Sequence, residues 1–402
     1  MVRNGHLATM EPSGTDPLGV VRDGLVAIRG DRILWVGPES ATPPDLDVSG
    51  ASTVDAGGGW ITPGLIDAHT HLVFGGHRAD EFEQRLSGVS YEAIARAGGG
   101  ILSTVRATRS ASGDELLRPA EERLRTLVAH GCTTVEVKSG YGLDVETELR
   151  MLEVAAQAGK GVGVTVVGTL LGAHALPPEY RQSRSAYIEL VCHEMIPRAA
   201  ESGLATAVDA FCEPIAFTRD ECGRVLRAGA EYGLAARLHA DQLTDADGAA
   251  LAAEVGARSA DHLEYTSESG VRAMAEAGTA AVLLPGAYHF VGADQPPPID
   301  LFRSAGVDMV VATDLNPGSS PVGTPLLAMN LACVLFGLTP TEAIVGMTRN
   351  AAHVVDLDDR GRLVEGFRAD VACWDVSTPA ELAYWMGRNP CKAVISGGQR
   401  LH

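Results

Sequence analysis

Two histidines, His69 and His71, follow the short apolar run ITPGLIDA and are separated by a single residue. On extended backbone, side chains two residues apart point to the same side of the chain. Both imidazoles are therefore aimed at one point, and imidazole is the commonest protein ligand for transition metals. The pair predicts half of a metal site at the end of a strand. The structural alternative is a hydrogen-bonded pair within the core.

Three more polar residues, His239, His262 and Asp314, follow other short apolar runs. In a barrel of parallel strands, the carboxyl ends of all the strands meet on one face, where active sites of that fold lie. His69, His71, His239 and Asp314 then form an ordinary ligand set for Zn²⁺, with Fe²⁺ and Mn²⁺ as alternatives. His262 is expected beside this set, as a partner of the metal-bound water.

One anionic ligand leaves the metal positive, so it lowers the pKa of a bound water from about 15.7 towards 7. A second metal usually needs a bridging anion near the fourth strand, commonly a carbamylated lysine, and Cys212 and Glu213 stand there instead. We therefore expect one ion, with Glu213 and Cys212 as alternatives for holding a second. Lys138, after the second strand, is expected as a solvated or substrate-facing cation.

Eight short apolar runs alternate with alanine-rich segments of helical periodicity over about 280 residues. This order predicts an α/β fold, a (β/α)8 TIM barrel. The alternative is a doubly wound sheet, which usually carries a glycine-rich turn after its first strand, where this chain has histidines. The predicted strands are 61–67, 132–137, 163–171, 206–211, 235–239, 259–262, 280–284 and 308–312, and the predicted helices are 114–129, 146–159, 188–202, 220–232, 247–254 and 268–277.

The two ends of the chain carry β-patterned segments. A turn at Gly30-Asp31 predicts a hairpin between 24–29 and 32–36. Because neither end alone has enough strands to bury a face, we predict a small composite β-sandwich domain formed by both termini. The C-terminal strands are predicted at 362–370, 371–374 and 393–396, and the domain limits at 1–60, 61–350 and 351–402.

Composition narrows the class of partner. The chain has 402 residues, 46% of them hydrophobic, and a formal net charge of −19, which argues against nucleic acid and anionic membranes and favours a small-molecule substrate. No apolar run approaches the roughly 18 residues of a membrane span, and the N-terminus lacks the apolar core of a secretory signal, so a cytoplasmic location is predicted. Seven cysteines without a CxxC pair indicate neither a disulfide framework nor a thiolate zinc cluster.

The order of the metal-binding candidates along the strands resembles that of the amidohydrolase superfamily. More narrowly, the chain resembles the imidazolonepropionase family along essentially its whole length. This resemblance implies that the chain opens the cyclic amide of 4-imidazolone-5-propanoate to N-formimidoyl-L-glutamate, a step of histidine degradation, by attack of a metal-bound hydroxide. It also implies one zinc or iron ion and a homodimer. The segments that carry it are HTHLVFGGHRADEF (69–82), KSGYGL (138–143), GAHALP (172–177), HADQL (239–243), ADHLEY (260–265), LLPGA (283–287) and ATDLNPGSSP (312–321).

A substrate with a carboxylate tail needs a cation, and Arg78, on the loop after the first strand, offers a bidentate fork. The alternative is that Arg78 pairs with a neighbouring carboxylate on a wet surface. Tyr141 is flanked by glycines, which suits binding, whereas Tyr91 suits helix packing equally well. The resemblance implies substrate contacts from Tyr91, Tyr141, His174, Asn316, Gly318 and Ser319.

Gln242 stands three residues after His239, where many members of the family carry glutamate. An amide cannot act as a general base, although it can hydrogen-bond a substrate ring. The catalytic proton transfers are therefore expected from His262 and Asp314.

The sequence leaves two other functions open. One is another amidohydrolase, which acts on a different cyclic amide or releases ammonia from a purine-like ring as an aminohydrolase. The other is a metal-free barrel that serves as an interaction scaffold. Arg78 and Tyr141 favour a small acid as substrate, and the complete ligand set argues against the scaffold.

Overall fold

The computed structural model describes residues 1–46, 50–89 and 98–402. Within these ranges, the strands, numbered in chain order, form two eight-stranded sheets. One contains strands from both ends of the chain: β1 (Val2–Ala8), β2 (Val20–Arg29), β3 (Arg32–Pro38), β4 (Val54–Asp55), β5 (Trp60–Pro63), β14 (Val371–Trp374), β15 (Cys391–Ser396) and β16 (Gln399–Arg400). The other contains β6 (Leu65–Asp67), β7 (Cys132–Lys138), β8 (Thr165–Ala173), β9 (Ala207–Cys212), β10 (Ala235–Ala240), β11 (Ser259–His262), β12 (Ala280–Leu283) and β13 (Met309–Val311).

The second sheet is a parallel barrel, with neighbours in strict chain order from β6 to β13. The predicted (β/α)8 barrel is therefore confirmed, and the strand limits agree with the prediction to within two residues for every strand except the first. Buried aliphatic side chains from the strands and the surrounding helices form the main core. The helices are Ala79–Leu86, Ile101–Ser110, Gly113–Ala129, Val145–Val162, Arg184–Leu190, Ile196–Glu201, Arg219–Glu231, Gly248–Glu254, Glu268–Ala277, Pro285–Val291, Ile299–Ala305, Pro325–Phe336, Pro340–Gly346, Arg349–Val354 and Glu381–Tyr384, with 3₁₀ turns at Glu39–Ala41 and Pro178–Tyr180 and a π-helical turn at Val191–Met195.

A buried carboxylate closes the barrel between its first and last strands. Asp67, at the end of β6, accepts hydrogen bonds from the backbone N–H of Thr313 at 3.0 Å and from its hydroxyl at 2.6 Å. Beyond these strands the backbone N–H of Asp314 donates to the His69 carbonyl at 3.0 Å. The residues after the first and last strands are therefore joined side by side.

The terminal sheet confirms a composite β-domain formed by both termini, because β5 pairs with β1 on one side and antiparallel with β14 on the other. Its strands form one continuous eight-stranded sheet, so the sandwich arrangement stays a prediction. The predicted hairpin is present as β2 and β3. The predicted strand at 362–370 is wrong: this segment makes turns and a single bridge from Arg368 to Arg32. Its pattern is broken by Gly366, whose φ of 83° turns the chain out of an extended path.

The predicted first strand is divided between the two sheets. β5 ends at Pro63, β6 begins at Leu65, and Gly64 between them donates its N–H to the Asp370 carbonyl at 2.9 Å. The chain thus passes directly from the terminal sheet into the barrel. The predicted domain limits at 60/61 and 350/351 stay a prediction.

No helix in the described ranges is both long and apolar enough to cross a membrane.

A substitution at Gly64 tests how tightly the two sheets are joined. A Cβ there would lie 2.2 Å from Oγ1 and 2.3 Å from Cγ2 of Thr133, so Gly64→Ala is expected to destabilise the fold by about 1–3 kcal/mol. The matched control is Gly113→Ala, where a Cβ would meet nothing within 4 Å at a helix start. Thermal unfolding of both variants measures the effect, and equal melting temperatures would contradict this account of the junction.

Candidate metal centre and active site

Four predicted donor residues converge at the carboxyl end of the barrel. The Nε2 atoms of His69 and His71 are 3.2 Å apart, and those of His71 and His239 are 3.3 Å apart. Oδ1 of Asp314 lies 3.5 Å from Nε2 of both His69 and His71. All four side chains are buried, so the donors face one another in a site shielded from bulk water.

The separations among His69, His71 and Asp314 fit three donors of one tetrahedral metal ion, whereas His239 lies close to His71 but does not belong to the same donor group as Asp314. Donor atoms at about 2.0–2.2 Å from a tetrahedral centre are separated from one another by about 3.3–3.6 Å. The measured separations of 3.2 to 3.5 Å agree with that edge length. Burial lowers the pKa of both His69 and His71 well below the usual histidine value, so these imidazoles are neutral and have lone pairs available for a cation. The donor set therefore fits a divalent metal ion.

Two carboxylates lie against the outer nitrogens of two candidate ligand imidazoles. Nδ1 of His69 lies 2.6 Å from Oδ2 of Asp261, and Nδ1 of His239 lies 3.0 Å from Oδ2 of Asp209. A carboxylate at Nδ1 holds the proton on that atom and leaves Nε2 free to face a metal. At His239, burial lowers the pKa but the Asp209 carboxylate outweighs burial and raises it.

Lys138 is neither solvated nor substrate-facing, so that expectation is wrong. Its side chain is fully buried, and Nζ lies 2.9 Å from both Glu136 Oε1 and Asp209 Oδ2 and 3.6 Å from Asp261 Oδ2. Burial disfavours the ammonium, but the carboxylates outweigh burial and raise the pKa of Lys138. Position 138 ends β7 with its side chain inside the barrel, where a cation is stable only when it is paired.

The buried charged side chains around the site favour the binding of a divalent cation. Four carboxylates (Glu136, Asp209, Asp261 and Asp314) face two cations (Lys138 and Arg237), so the buried network has two excess negative charges. One divalent ion would offset these two charges. Burial raises the pKa of Asp314 to about 7 and that of Asp261 to about 6, which indicates how strongly the site disfavours unpaired carboxylates.

His262 lies beside the four donors, with its ring centroid 5.5 Å from that of His239 and 6.0 Å from that of His69. Its donor atoms also group with those of His69 and His239, which makes an alternative set of three nitrogens. Nδ1 of His262 lies 4.0 Å from Glu264, a buried carboxyl whose pKa is raised to about 8 by burial. Burial lowers the pKa of His262 well below its usual value, so its imidazole is neutral.

Arg78 reaches the loop after the last barrel strand. A Cβ on Gly318 would lie 2.0 Å from Nη2 of Arg78, so the guanidinium packs directly on the bare backbone of that glycine. Asn316 shapes the loop, because its side-chain oxygen accepts the N–H groups of Gly318 at 2.8 Å and Ser319 at 2.7 Å. Nε of Arg78 is also 3.4 Å from Glu81, so the pairing with a neighbouring carboxylate is present, although both side chains are largely buried and not on a wet surface. The substrate role of Arg78 stays a prediction.

Tyr141 and His174 line the same face of the site. The His174 ring stacks on His71 with centroids 5.2 Å apart, and Tyr141 lies 5.9 Å from His71 and 5.4 Å from His174. The loop that carries Tyr141 is held by the buried Glu148, which accepts the N–H groups of Gly140, Gly142 and Leu143 at 2.7 to 2.8 Å.

The remaining predicted residues are less informative. Gln242 is half-buried on the loop after β10, and Tyr91 lies outside the described residues. Glu213 accepts the N–H of Leu243 and the hydroxyl of Thr244, each at 2.8 Å. Among the described residues, Glu213 and Cys212 belong to neither group of donors that could hold a metal.

Glu136, Asp209 and Asp261 are functional candidates that the sequence interpretation missed. Each lies inside a strand that was treated as an apolar run. The sequence contains a signal for such buried charges, because Glu136 precedes Lys138 by two residues and Arg237 precedes His239 by two. Side chains at that spacing share a face of the strand, so the metal-binding face was marked by further charges.

The fold and the donor set together define a barrel of the amidohydrolase type. Residues 60–401 match the Amidohydrolase family. Imidazolonepropionases of Shewanella putrefaciens and Shewanella halifaxensis are each 52% identical over 398 residues, which cover 99% of this chain and 97% of theirs. The chain therefore belongs to the amidohydrolase family and, within it, to the imidazolonepropionases.

Solved structures support the fold at lower identity. N-isopropylammelide isopropylaminohydrolase from Burkholderia multivorans superposes with a TM-score of 0.71 at 20% identity, covering 99% of this chain and 97% of that one. Atrazine chlorohydrolase from Arthrobacter aurescens, complexed with zinc, gives a TM-score of 0.68 at 18% identity, with coverage of 99% and 94%. Their architecture matches the barrel and terminal sheet described above.

Metal binding is expected to stabilise the fold through the four donors. Zn²⁺ at a thousandfold excess over its dissociation constant would stabilise the metal-stripped chain by about 4 kcal/mol and raise its melting temperature. His71→Ala should abolish that increase, while His193→Ala, at a side chain that is 72% exposed, should retain it. Differential scanning fluorimetry with and without Zn²⁺ measures both, and a full increase in His71→Ala would exclude His71 as a ligand.

Proposed function

We propose that this chain hydrolyses the cyclic amide of 4-imidazolone-5-propanoate to N-formimidoyl-L-glutamate, a step of histidine degradation. The single observation that carries the proposal is the cluster of His69, His71 and Asp314, whose donor atoms lie 3.2 to 3.5 Å apart, with Nε2 of His239 at 3.3 Å from Nε2 of His71. Arg78, which packs on Gly318 of the loop that follows Asp314, can bind an acid. The full-length similarity to imidazolonepropionases supports the same substrate.

The proposed ion is one Zn²⁺ or one iron ion per chain, held by His69, His71, His239 and Asp314. When bound, such an ion polarises a carbonyl and lowers the pKa of water in its coordination shell. The chain itself supplies three imidazoles, one anionic ligand and a buried setting in which electrostatic interactions are strong. The excess negative charge of the buried network supports the binding of a divalent ion.

The reaction consumes one water: a C–O bond forms at the ring carbonyl, the C–N bond breaks, and the freed nitrogen takes a proton. We assign the proton transfers to His262 and Asp314. His262 is supported by its neutral imidazole beside the donor cluster, and Asp314 by a carboxylate that faces the cluster. Gln242 cannot take a proton and is assigned a hydrogen bond to the substrate ring.

The propanoate tail is assigned to Arg78. Its guanidinium has a planar pair of N–H donors that match a carboxylate, and the bare backbone of Gly318 makes room for it. Tyr141 and His174 are assigned to the ring of the substrate, because they pack around His71 at the metal-facing side. Asn316, Ser319 and Tyr91 complete the proposed substrate contacts.

A homodimer in the cytoplasm is also part of the proposal. Exposed apolar side chains of Val334, Tyr384 and Met386 lie on neighbouring elements and offer a surface for a second copy. The particle mass in solution, from light scattering, decides between monomer and dimer. The seven cysteines are free thiols, which suits a reducing compartment.

The substrate assignment is tested with the metal-loaded chain. Purified protein should consume 4-imidazolone-5-propanoate, monitored by ultraviolet absorbance, and release no ammonia from guanine or cytosine. His71→Ala serves as the inactive control. Ammonia release together with an unchanged imidazolone would favour the aminohydrolase alternative and exclude the proposed substrate.

The roles of Arg78 and His262 are expected to separate in the kinetic constants. Arg78→Ala should raise KM about 10–100-fold through loss of charge-assisted hydrogen bonds, whereas His262→Ala should lower kcat by about 10²–10⁴-fold. Gly318→Ala should resemble Arg78→Ala, because its methyl group displaces the guanidinium.

Gly323→Ala is the matched control in the same loop, since its Cβ would meet a single atom, at 4.0 Å. Small and equal effects of Arg78→Ala and His262→Ala would contradict both assignments.

A further inference from the structure

The buried ammonium of Lys138 lies one contact away from two metal-ligand candidates. It contacts Asp209 and Asp261, and these carboxylates in turn contact the outer nitrogens of His239 and His69. Two chains of contact therefore start from one atom, Nζ, and end at two neighbouring imidazoles, whose ring centroids are 4.6 Å apart.

We propose that Lys138 is a positioning residue for the metal centre, which holds Asp209 and Asp261 in place and thereby pre-organises His239 and His69. This inference rests on the proposed ligand set. It adds a residue from β7, a strand that contributes no ligand, to the machinery that sets metal affinity.

The chemistry of the ammonium fits this role. An ammonium has three N–H donors and no acceptor, and Nζ of Lys138 is surrounded by three carboxylate oxygens at 2.9, 2.9 and 3.6 Å. All of these side chains are fully buried, so water cannot replace the cation. Without Lys138, Asp209 and Asp261 would repel each other in a medium of low dielectric constant.

Displacement of either carboxylate would weaken metal binding through the imidazole that it contacts. Each carboxylate keeps the proton of its histidine on Nδ1, which leaves the lone pair of Nε2 for the ion. A histidine without that partner can rotate or take the other tautomer, and it then no longer presents Nε2. Partners of this kind typically change metal affinity by about 10–100-fold.

Arg237 provides an internal comparison, because it is the other buried cation of the network. Its guanidinium donates to Glu136 at 2.7 Å, to Thr169 at 3.0 Å and to the Val354 carbonyl at 3.1 Å. None of these groups contacts a ligand imidazole through its side chain. Removal of Arg237 therefore disturbs the buried charge without removing the support of His69 and His239.

The experiment compares two double variants of equal net charge, Lys138→Met with Glu136→Gln, and Arg237→Met with Glu136→Gln. Each removes one buried cation and one buried carboxylate, so the charge balance of the network is kept and the risk of unfolding is reduced. The apparent Zn²⁺ dissociation constant is measured by chelator competition, and bound zinc per chain by elemental analysis. Circular dichroism confirms that each variant is folded.

The Lys138 double variant should bind Zn²⁺ about 10–100-fold more weakly than the Arg237 double variant. Equal affinities of the two variants, with zinc still bound by the unmodified chain, would overturn the role of Lys138 and leave the ligand set intact. Absence of zinc binding by the unmodified chain would overturn the ligand set itself and this inference with it. Should the Lys138 double variant fail to fold, Asp209→Asn and Asp261→Asn must each weaken zinc binding, and unchanged affinity in either one overturns the proposal.

Discussion

Buried charge must be paired, and this constraint shapes the whole interior of the barrel. Several strands carry ionised side chains inward, and each would be strongly unfavourable if it stood alone. Glu136, Lys138, Asp209 and Asp261 therefore form one connected network rather than separate pairs. An apolar interior would make a more stable barrel, so the charged interior is best understood as support for the face that carries the chemistry.

Both sheets help to position the face of the barrel that carries the candidate site. β5 belongs to the terminal sheet and β6 to the barrel, and only Gly64 separates them. The strand that leads into His69 and His71 is thus anchored at its start by strands from both termini. Asp67 then joins its end to the last strand, so the distance between the first histidines and Asp314 is fixed by backbone geometry and not by the side chains alone.

Periodicity located the barrel strands and the donors because these features are local. A run of aliphatic residues followed by a histidine is visible without knowledge of the fold, and the convergence of strand ends supplies the third dimension. The fold, and the convergence of His69, His71, His239 and Asp314, could be predicted in this way. The pairing of Lys138 with Asp209 and Asp261 could not, since it joins three strands and depends on which face each residue occupies.

The prediction of a strand at 362–370 is wrong for a related reason. Its composition suits a strand, but Gly366 and the contacts of Arg368 with Asp31 and Asp370 turn it into a connection between the sheets. Arg78 shows the opposite situation, in which sequence suggested a role but could not reveal the neighbour that makes it feasible. That neighbour, Gly318, is far away in the chain.

The contact of Arg78 with Gly318 has an evolutionary consequence. One added methyl group at position 318 would push the guanidinium aside, so a single codon far from the arginine can remove the proposed acid-binding contact while the arginine itself persists. The proposed acid recognition therefore depends on two loops that are distant in the sequence. Under that proposed role, one substitution at the glycine is a short mutational route away from acidic substrates.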